Sequence, residues 1–288
     1  MKGYGRTDEP VKQQQAIPAC VLQDLCAVVS DDPAYKCAQQ LFEFAFFWAC
    51  RSCEYCDVQS PRKTKVLRGC DISFRPGNDH IRNDYPNIPP MGDAVTVKFQ
   101  IQKNDDKRDA VTQFAVPNSK FCPHRVCKDI LKRLHNCRLP ASASIDHYRD
   151  RSGTLRRLSN KYMLYVLRRH IHQMNQRHPD NGLNLDPNCV GLHSARAAAA
   201  MAMYLNGVPP YTIMLIGRWK SMCFLKYIRK QVDMFSMDVS RRMLLNPRFS
   251  HPGTSTPKTR SRAPSSSKIN ELAISKNPFR NDTFAVWE

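Results

Sequence analysis

The stretch GLHSARAAAAMAMYLNGVPPYTIMLIGRWKSMCFLKYIRKQV, residues 191–232, sits in a chain that is otherwise polar and strongly basic. From Ser194 to about Leu244 the apolar spacing predicts helix, broken at Gly207, Pro209, Pro210 and Gly217. His193 and Arg196 stand three residues apart, so they share one face of a helix or its first turn, where both could reach one phosphate. Trp219 offers an indole N–H between Arg218 and Lys220, and Tyr227 offers a phenol near Lys226 and Arg229. Two readings follow from these four residues. In one they perform chemistry on a phosphodiester. In the other His193 and Arg196 only bind backbone phosphate, while Trp219 and Tyr227 fill the core.

The rest of the chain narrows the setting. Its 288 residues suffice for one or two domains, with 42% hydrophobic side chains and a mean hydropathy of −0.52. No run approaches the roughly 18 apolar residues of a membrane span. The start, MKGYGRTDEPVKQQQ, has no apolar signal core, so secretion is not expected. Lys and Arg number 44 against 25 Asp and Glu, a net charge of +19. Residues 245–288 hold seven basic and three acidic side chains, so +15 of that charge lies in residues 1–244. A body this basic favours a polyanionic partner, nucleic acid first, over a merely soluble basic protein.

Twelve cysteines without a secretion signal fit a reducing compartment and free thiols. Cys50, Cys53 and Cys56 have the C-x-x-C-x-x-C spacing of a metal or cluster site. They lie at the end of an apolar helical run, without a glycine knuckle or a nearby fourth ligand, and are read as buried structural thiols. Cys122, His124 and Cys127 are read the same way.

Helical spacing covers residues 19–29 and then 34–55, with Ser30, Asp31 and Asp32 as N-cap candidates for the second helix. Residues 65–74 alternate as a short strand and end at Arg75-Pro76-Gly77-Asn78; residues 77–92 read as a loop. The clearest hairpin follows: residues 94–103 alternate, 104–109 turn, and 110–116 alternate back. Helix is expected at 124–135 and 160–176, with a basic loop up to Arg157 between them and a Pro/Asn/Asp-rich connection over 177–190. Residues 246–288, rich in Ser, Thr, Pro and basic side chains, read as a disordered tail.

The order H-x-x-R, then 23 residues to a Trp after a glycine turn, then a Tyr eight residues on, resembles the tyrosine recombinase (phage integrase) superfamily. Here it reads His193-Ser-Ala-Arg196, Gly217-Arg218-Trp219-Lys220 and Tyr227. The wording GRWKS…FLKYIRKQV looks most like Crypton- and DIRS-type recombinases of eukaryotic mobile elements. The family's first box, an apolar helix ending in Arg-x-x-Glu, is matched by Arg51-Ser-Cys-Glu54. Its lysine in a β-hairpin turn is matched by Lys103, although Lys107 shares that turn and Lys98 the strand before it.

The resemblance implies an α+β, mainly α catalytic domain with a small antiparallel sheet, spanning 18–245 behind a linker-like lead-in at 1–17. It implies breakage and rejoining of double-stranded DNA through a 3′-phosphotyrosyl intermediate, with integration or excision of a mobile element. Arg51 and Arg196 then clamp the non-bridging oxygens. Tyr227 attacks, His193 takes its proton, and Lys103 protonates the 5′-oxygen that leaves. Trp219 binds phosphate and buttresses the tyrosine helix, and Glu54 anchors a neighbouring arginine or histidine. No metal and no small-molecule cofactor is required, because the phosphotyrosine preserves the energy of the broken link. Self-association on DNA is expected; a membrane partner is not.

Two departures stand out. The helical core-binding domain that precedes the linker in longer relatives is expected to be absent. Ala197 also follows Arg196 where relatives often carry Gly or Ser. Two rivals keep their place: type IB topoisomerase-like relaxation, and a non-catalytic DNA-binding remnant.

Overall fold

The computed structural model describes residues 15–57, 64–75, 94–100, 109–179, 183 and 185–225. All of them fall in the compact unit Met1–Ser236. At its centre lies helix α2 (Pro33–Phe47), whose Ala34, Cys37, Ala38, Leu41, Phe42, Phe44 and Ala45 are buried. A helix apolar on most of its circumference belongs inside a fold. It starts as the sequence predicts, with the Asp32 carboxylate accepting from the Ala34 N–H at 3.0 Å and Pro33 in the first turn. Around it pack α1 (Ala19–Ala27), α4 (Pro123–Asn136) and α6 (Ser194–Leu205). The alanines of α6, residues 195 and 197–200, are buried, which lets its backbone approach α2 closely.

The expected hairpin is present as β2 (Ala94–Phe99) against β3 (Asp109–Phe114), antiparallel, with Phe99 opposite Asp109. Its turn, with Lys103, lies outside the described residues. A third strand, β1 (Ile72–Arg75), pairs antiparallel with the other side of β2. The predicted strand over 65–74 is therefore shorter than expected. Leu67 to Cys70 instead hydrogen-bond to Glu54 and to residues 141–145, and Gly69–Asp71 form a 3-10 turn capped by the Asp71 carboxylate on the Arg68 N–H.

The basic loop before Arg157 contains a second hairpin, β4 (His147–Arg149) and β5 (Leu155–Arg157). Its turn is organised by Asp150, which accepts from the N–H groups of Ser152 and Thr154, and by Gly153 at φ 80°. Helix α5 (Asn160–Arg177) follows, capped by Ser159. After α6 the chain turns at Gly207, φ 73°, and re-enters helix as α7 (Pro210–Gly217), so the breaks predicted at Gly207, Pro209, Pro210 and Gly217 fall where expected. The helical pattern predicted beyond residue 225 lies outside the described residues. No helix among the described residues is long and apolar enough to cross a membrane.

The predicted helix over 34–55 is two helices. α2 ends at Phe47, Ala49 takes a left-handed φ of 45°, and the four-residue α3 (Ser52–Tyr55) starts at Arg51. Nothing in Trp48-Ala49-Cys50 signals a stop. The break is held from elsewhere, because distant side chains take the main-chain groups that it exposes. The Trp48 and Ala49 carbonyls accept from Arg218 and Arg196, and the Trp48 indole donates to the Val111 carbonyl at 3.2 Å.

One buried carboxyl makes the fold pH-sensitive. Glu43, on the inner face of α2, accepts the Cys122 N–H at 2.7 Å and so ties α2 to the start of α4. Burial pushes its pKa up to about 7. A raised carboxyl pKa means that the folded state holds the proton more tightly than the unfolded chain. The stabilisation is therefore present below the ordinary carboxylate range and is lost as pH rises through about 7. Glu43→Gln keeps the acceptor without the charge. It is expected to raise stability at pH 8 by on the order of 1–3 kcal/mol, and by little at pH 5, in parallel urea titrations.

Candidate functional site

Three segments far apart in sequence meet where α2 gives way to α3. The first is α3 itself. The Glu54 carboxylate reaches back to the Arg51 backbone N–H at 2.7 Å and to its guanidinium at 3.1 Å. Glu54 is buried, whereas the Arg51 side chain keeps 16% of its surface exposed. The Tyr55 hydroxyl donates to the Leu192 carbonyl at 2.9 Å, which fixes α3 against the residue preceding His193.

The second segment is the start of α6. The Ser194 hydroxyl accepts from the Gly191 N–H, and the Ser194 N–H donates back to the Gly191 carbonyl, closing a tight turn. His193 occupies the N-cap of α6, half-buried, one turn ahead of Arg196. Arg196 is 1% exposed. Its terminal nitrogens donate to the Ala49 and Gly217 carbonyls, and its guanidinium stacks on Trp219 with 4.1 Å to the ring centroid. Arg196 therefore lies in the floor of the site, where carbonyl dipoles stabilise its charge without neutralising it.

The third segment is the end of α7. Gly217 closes the helix, Arg218 turns left-handed at φ 55°, and Trp219 folds back over Gly217 towards Phe224. A Cβ on Gly217 would lie 1.7 Å from Cζ3 of Trp219, so only glycine admits the ring there. Gly217→Ala is expected to cost on the order of 1–3 kcal/mol by forcing the ring off Arg196. In chemical denaturation its loss and that of Trp219→Ala should be clearly less than additive, since either change takes the ring away from the same place.

Arg218, which the sequence pattern assigns no task, enters this site fully buried. It donates to the Glu54 carboxylate at 2.7 Å and to the Trp48 carbonyl at 2.9 Å, and its guanidinium lies 3.5 Å from the centroid of the Phe99 ring. A buried arginine is uncommon enough to signal a partner, but its partner stands 164 positions earlier in the chain. Of the six residues in the sequence pattern, Arg51, His193, Arg196 and Trp219 are thus carried by these three segments, with Glu54 beside Arg51. Lys103 and Tyr227 lie outside the described residues.

The cysteine triplet sits beneath. Cys50, Cys53 and Cys56 are buried, as are Cys122 and Cys127, and burial pushes the Cys56 thiol up to about 12 and raises Cys50 further. Among the described residues, no three His, Cys, Asp or Glu side chains are grouped as a metal ion would need.

No protein-family model matches the chain, and no curated protein does. Solved structures do. A XerH site-specific recombinase bound to palindromic difH substrate, in a post-cleavage complex, matches with a TM-score of 0.50 and 15% identity, over 80% of this chain and 54% of that one. XerH bound to difH in a pre-cleavage complex gives 0.48 and 14%, over 79% and 54%. The Tn1549 transposon integrase in complex with transposon right end DNA gives 0.43 and 9%, over 81% and 68%. The chain spans about half the length of XerH. At such identities the likeness is one of fold: mainly α with small antiparallel sheets, the fold of a tyrosine recombinase catalytic domain.

Proposed function

We propose that this protein breaks and rejoins double-stranded DNA through a 3′-phosphotyrosyl intermediate, as a recombinase of a mobile element of the Crypton or DIRS type. One observation carries the reading. Arg51, His193, Arg196 and Trp219, picked out by spacing across 169 positions of sequence, are borne by segments that interlock at one place. The catalytic domain is read as residues 18–245, followed by a basic tail, in a protein that works in the nucleus or otherwise with DNA inside the cell and self-associates on its substrate.

The chemistry follows from the residue types. The Tyr227 oxygen attacks phosphorus, His193 takes the phenolic proton, and the bond from phosphorus to the 5′-oxygen breaks as Lys103 supplies that oxygen with a proton. Charge gathers on the non-bridging oxygens during the attack. Arg51 meets it directly, while Arg196 supplies a fixed positive field from the floor, where the dielectric is low. Rejoining runs the same steps backwards, so bond energy is conserved. Lys103→Ala should lose adduct formation on ordinary DNA and regain it on a 5′-bridging phosphorothiolate, because sulfur leaves without a proton. Rescue of Lys107→Ala instead would move the acid within the hairpin turn.

The testing experiment is incubation with a nicked suicide duplex, from which the cleaved end diffuses away and traps the intermediate. A covalent protein–DNA band is expected. Binding without that band would favour a DNA-binding remnant, and relaxation of supercoiled DNA without strand exchange would favour a type IB topoisomerase-like enzyme.

A further inference from the structure

Arg218 holds an expensive position. Its backbone is left-handed at φ 55° without being glycine, and its side chain is 2% exposed. Among the described residues its Nε has no hydrogen-bond partner. Strain and an unmet donor persist only where the surroundings over-determine them. What determines this one is the Glu54 carboxylate, whose Oε2 accepts from both the Arg218 guanidinium and the Arg51 backbone N–H at 2.7 Å, while Oε1 accepts from the Arg51 guanidinium.

We infer that Arg218 is a positioning residue for the phosphate chemistry, fixing the Glu54 side chain from one side so that Glu54 can aim Arg51. The inference rests on the reading of the site as a phosphodiester-cleaving centre. Without Arg218 the buried carboxylate keeps Arg51 as its remaining charged partner, and nothing on the far side fixes the Oε2 that orients the Arg51 backbone. Lysine cannot replace Arg218. The planar fork serves Glu54 and the Trp48 carbonyl together with one face on Phe99, and an ammonium offers a single point of charge. The same residue joins the Arg51 end of the site to the turn that presents Trp219 to Arg196, and the end of β2 packs against it.

Suicide duplexes with an ordinary scissile phosphate and with a methylphosphonate separate this role from a merely structural one. The methylphosphonate lacks the charge that Arg51 meets, so its cleavage depends little on how Arg51 is aimed. On the phosphate, Arg218→Met and Arg51→Ala should each slow adduct formation by roughly 10²-fold, the order found when one electrostatic donor is lost. On the methylphosphonate both should come within a few-fold of the wild-type protein. A defect of Arg218→Met that is equal on the two substrates, or no defect at all, overturns the inference. If the urea midpoint shows that Arg218→Met does not fold, Arg218→Lys carries the same comparison with the same two outcomes. A wild-type protein that forms no adduct on the phosphate duplex overturns the phosphodiester reading and this inference with it.

Discussion

Tyr227→Phe is expected to leave folding and DNA binding intact and to remove the covalent protein–DNA adduct, a loss on the order of 10³-fold or more. Only a phenolic oxygen is deleted, so no core volume changes. The other tyrosines make the test sharp. Tyr55 is buried, bonded to the Leu192 carbonyl, and raised well above the usual phenol range by burial, so it is a poor nucleophile. Tyr162 donates to Asp32 at 2.6 Å, and burial with that bond raises it too. Tyr211, on α7, is 67% exposed and is the competitor that matters. An adduct that survives Tyr227→Phe and vanishes with Tyr211→Phe would give the nucleophile to α7.

Arg196→Ala should be damaging twice over. The change leaves the Ala49 and Gly217 carbonyls without their donor, at roughly 1–3 kcal/mol each, and empties a large buried volume beneath Trp219. Against a total stability of about 5–15 kcal/mol, that is a large fraction. It also deletes the fixed charge of the floor, worth roughly 2.7–4 kcal/mol of transition-state stabilisation by analogy with an oxyanion donor. Arg51→Ala is the contrast, since its side chain lies at the rim and its loss should fall mainly on the adduct rate. Urea midpoints and adduct rates measured side by side on the two variants check this. Equal midpoint losses would mean that Arg51 is as structural as Arg196.

The sequence patterns carried much of this fold because its signals are local. The β2–β3 alternation, the Asp32 cap, and the glycine and proline breaks between α6 and α7 need no tertiary context. What stayed hidden is non-local. Trp48-Ala49-Cys50 reads as helix, and the break there exists because arginines 147 and 170 positions away take its carbonyls. The β4–β5 hairpin had its turn signal in Asp150 and Gly153, but three-residue strands are too short to alternate convincingly. Arg196 reads as a phosphate clamp, and its contacts with the Ala49 and Gly217 carbonyls and the Trp219 ring have no local signal. Arg218 reads as one more basic neighbour of Trp219, and only the fold brings it to Glu54.

Locating the covalent link by mass spectrometry of the proteolysed adduct tests the proposed chemistry most directly. A suicide duplex carrying a labelled strand is cleaved, the protein is digested, and the nucleotide-bearing peptide is sequenced. The expected result is a 3′-phosphate joined to the oxygen of Tyr227. A link at any other residue, a 5′-phosphate linkage, or a nicked product with no protein attached would contradict it.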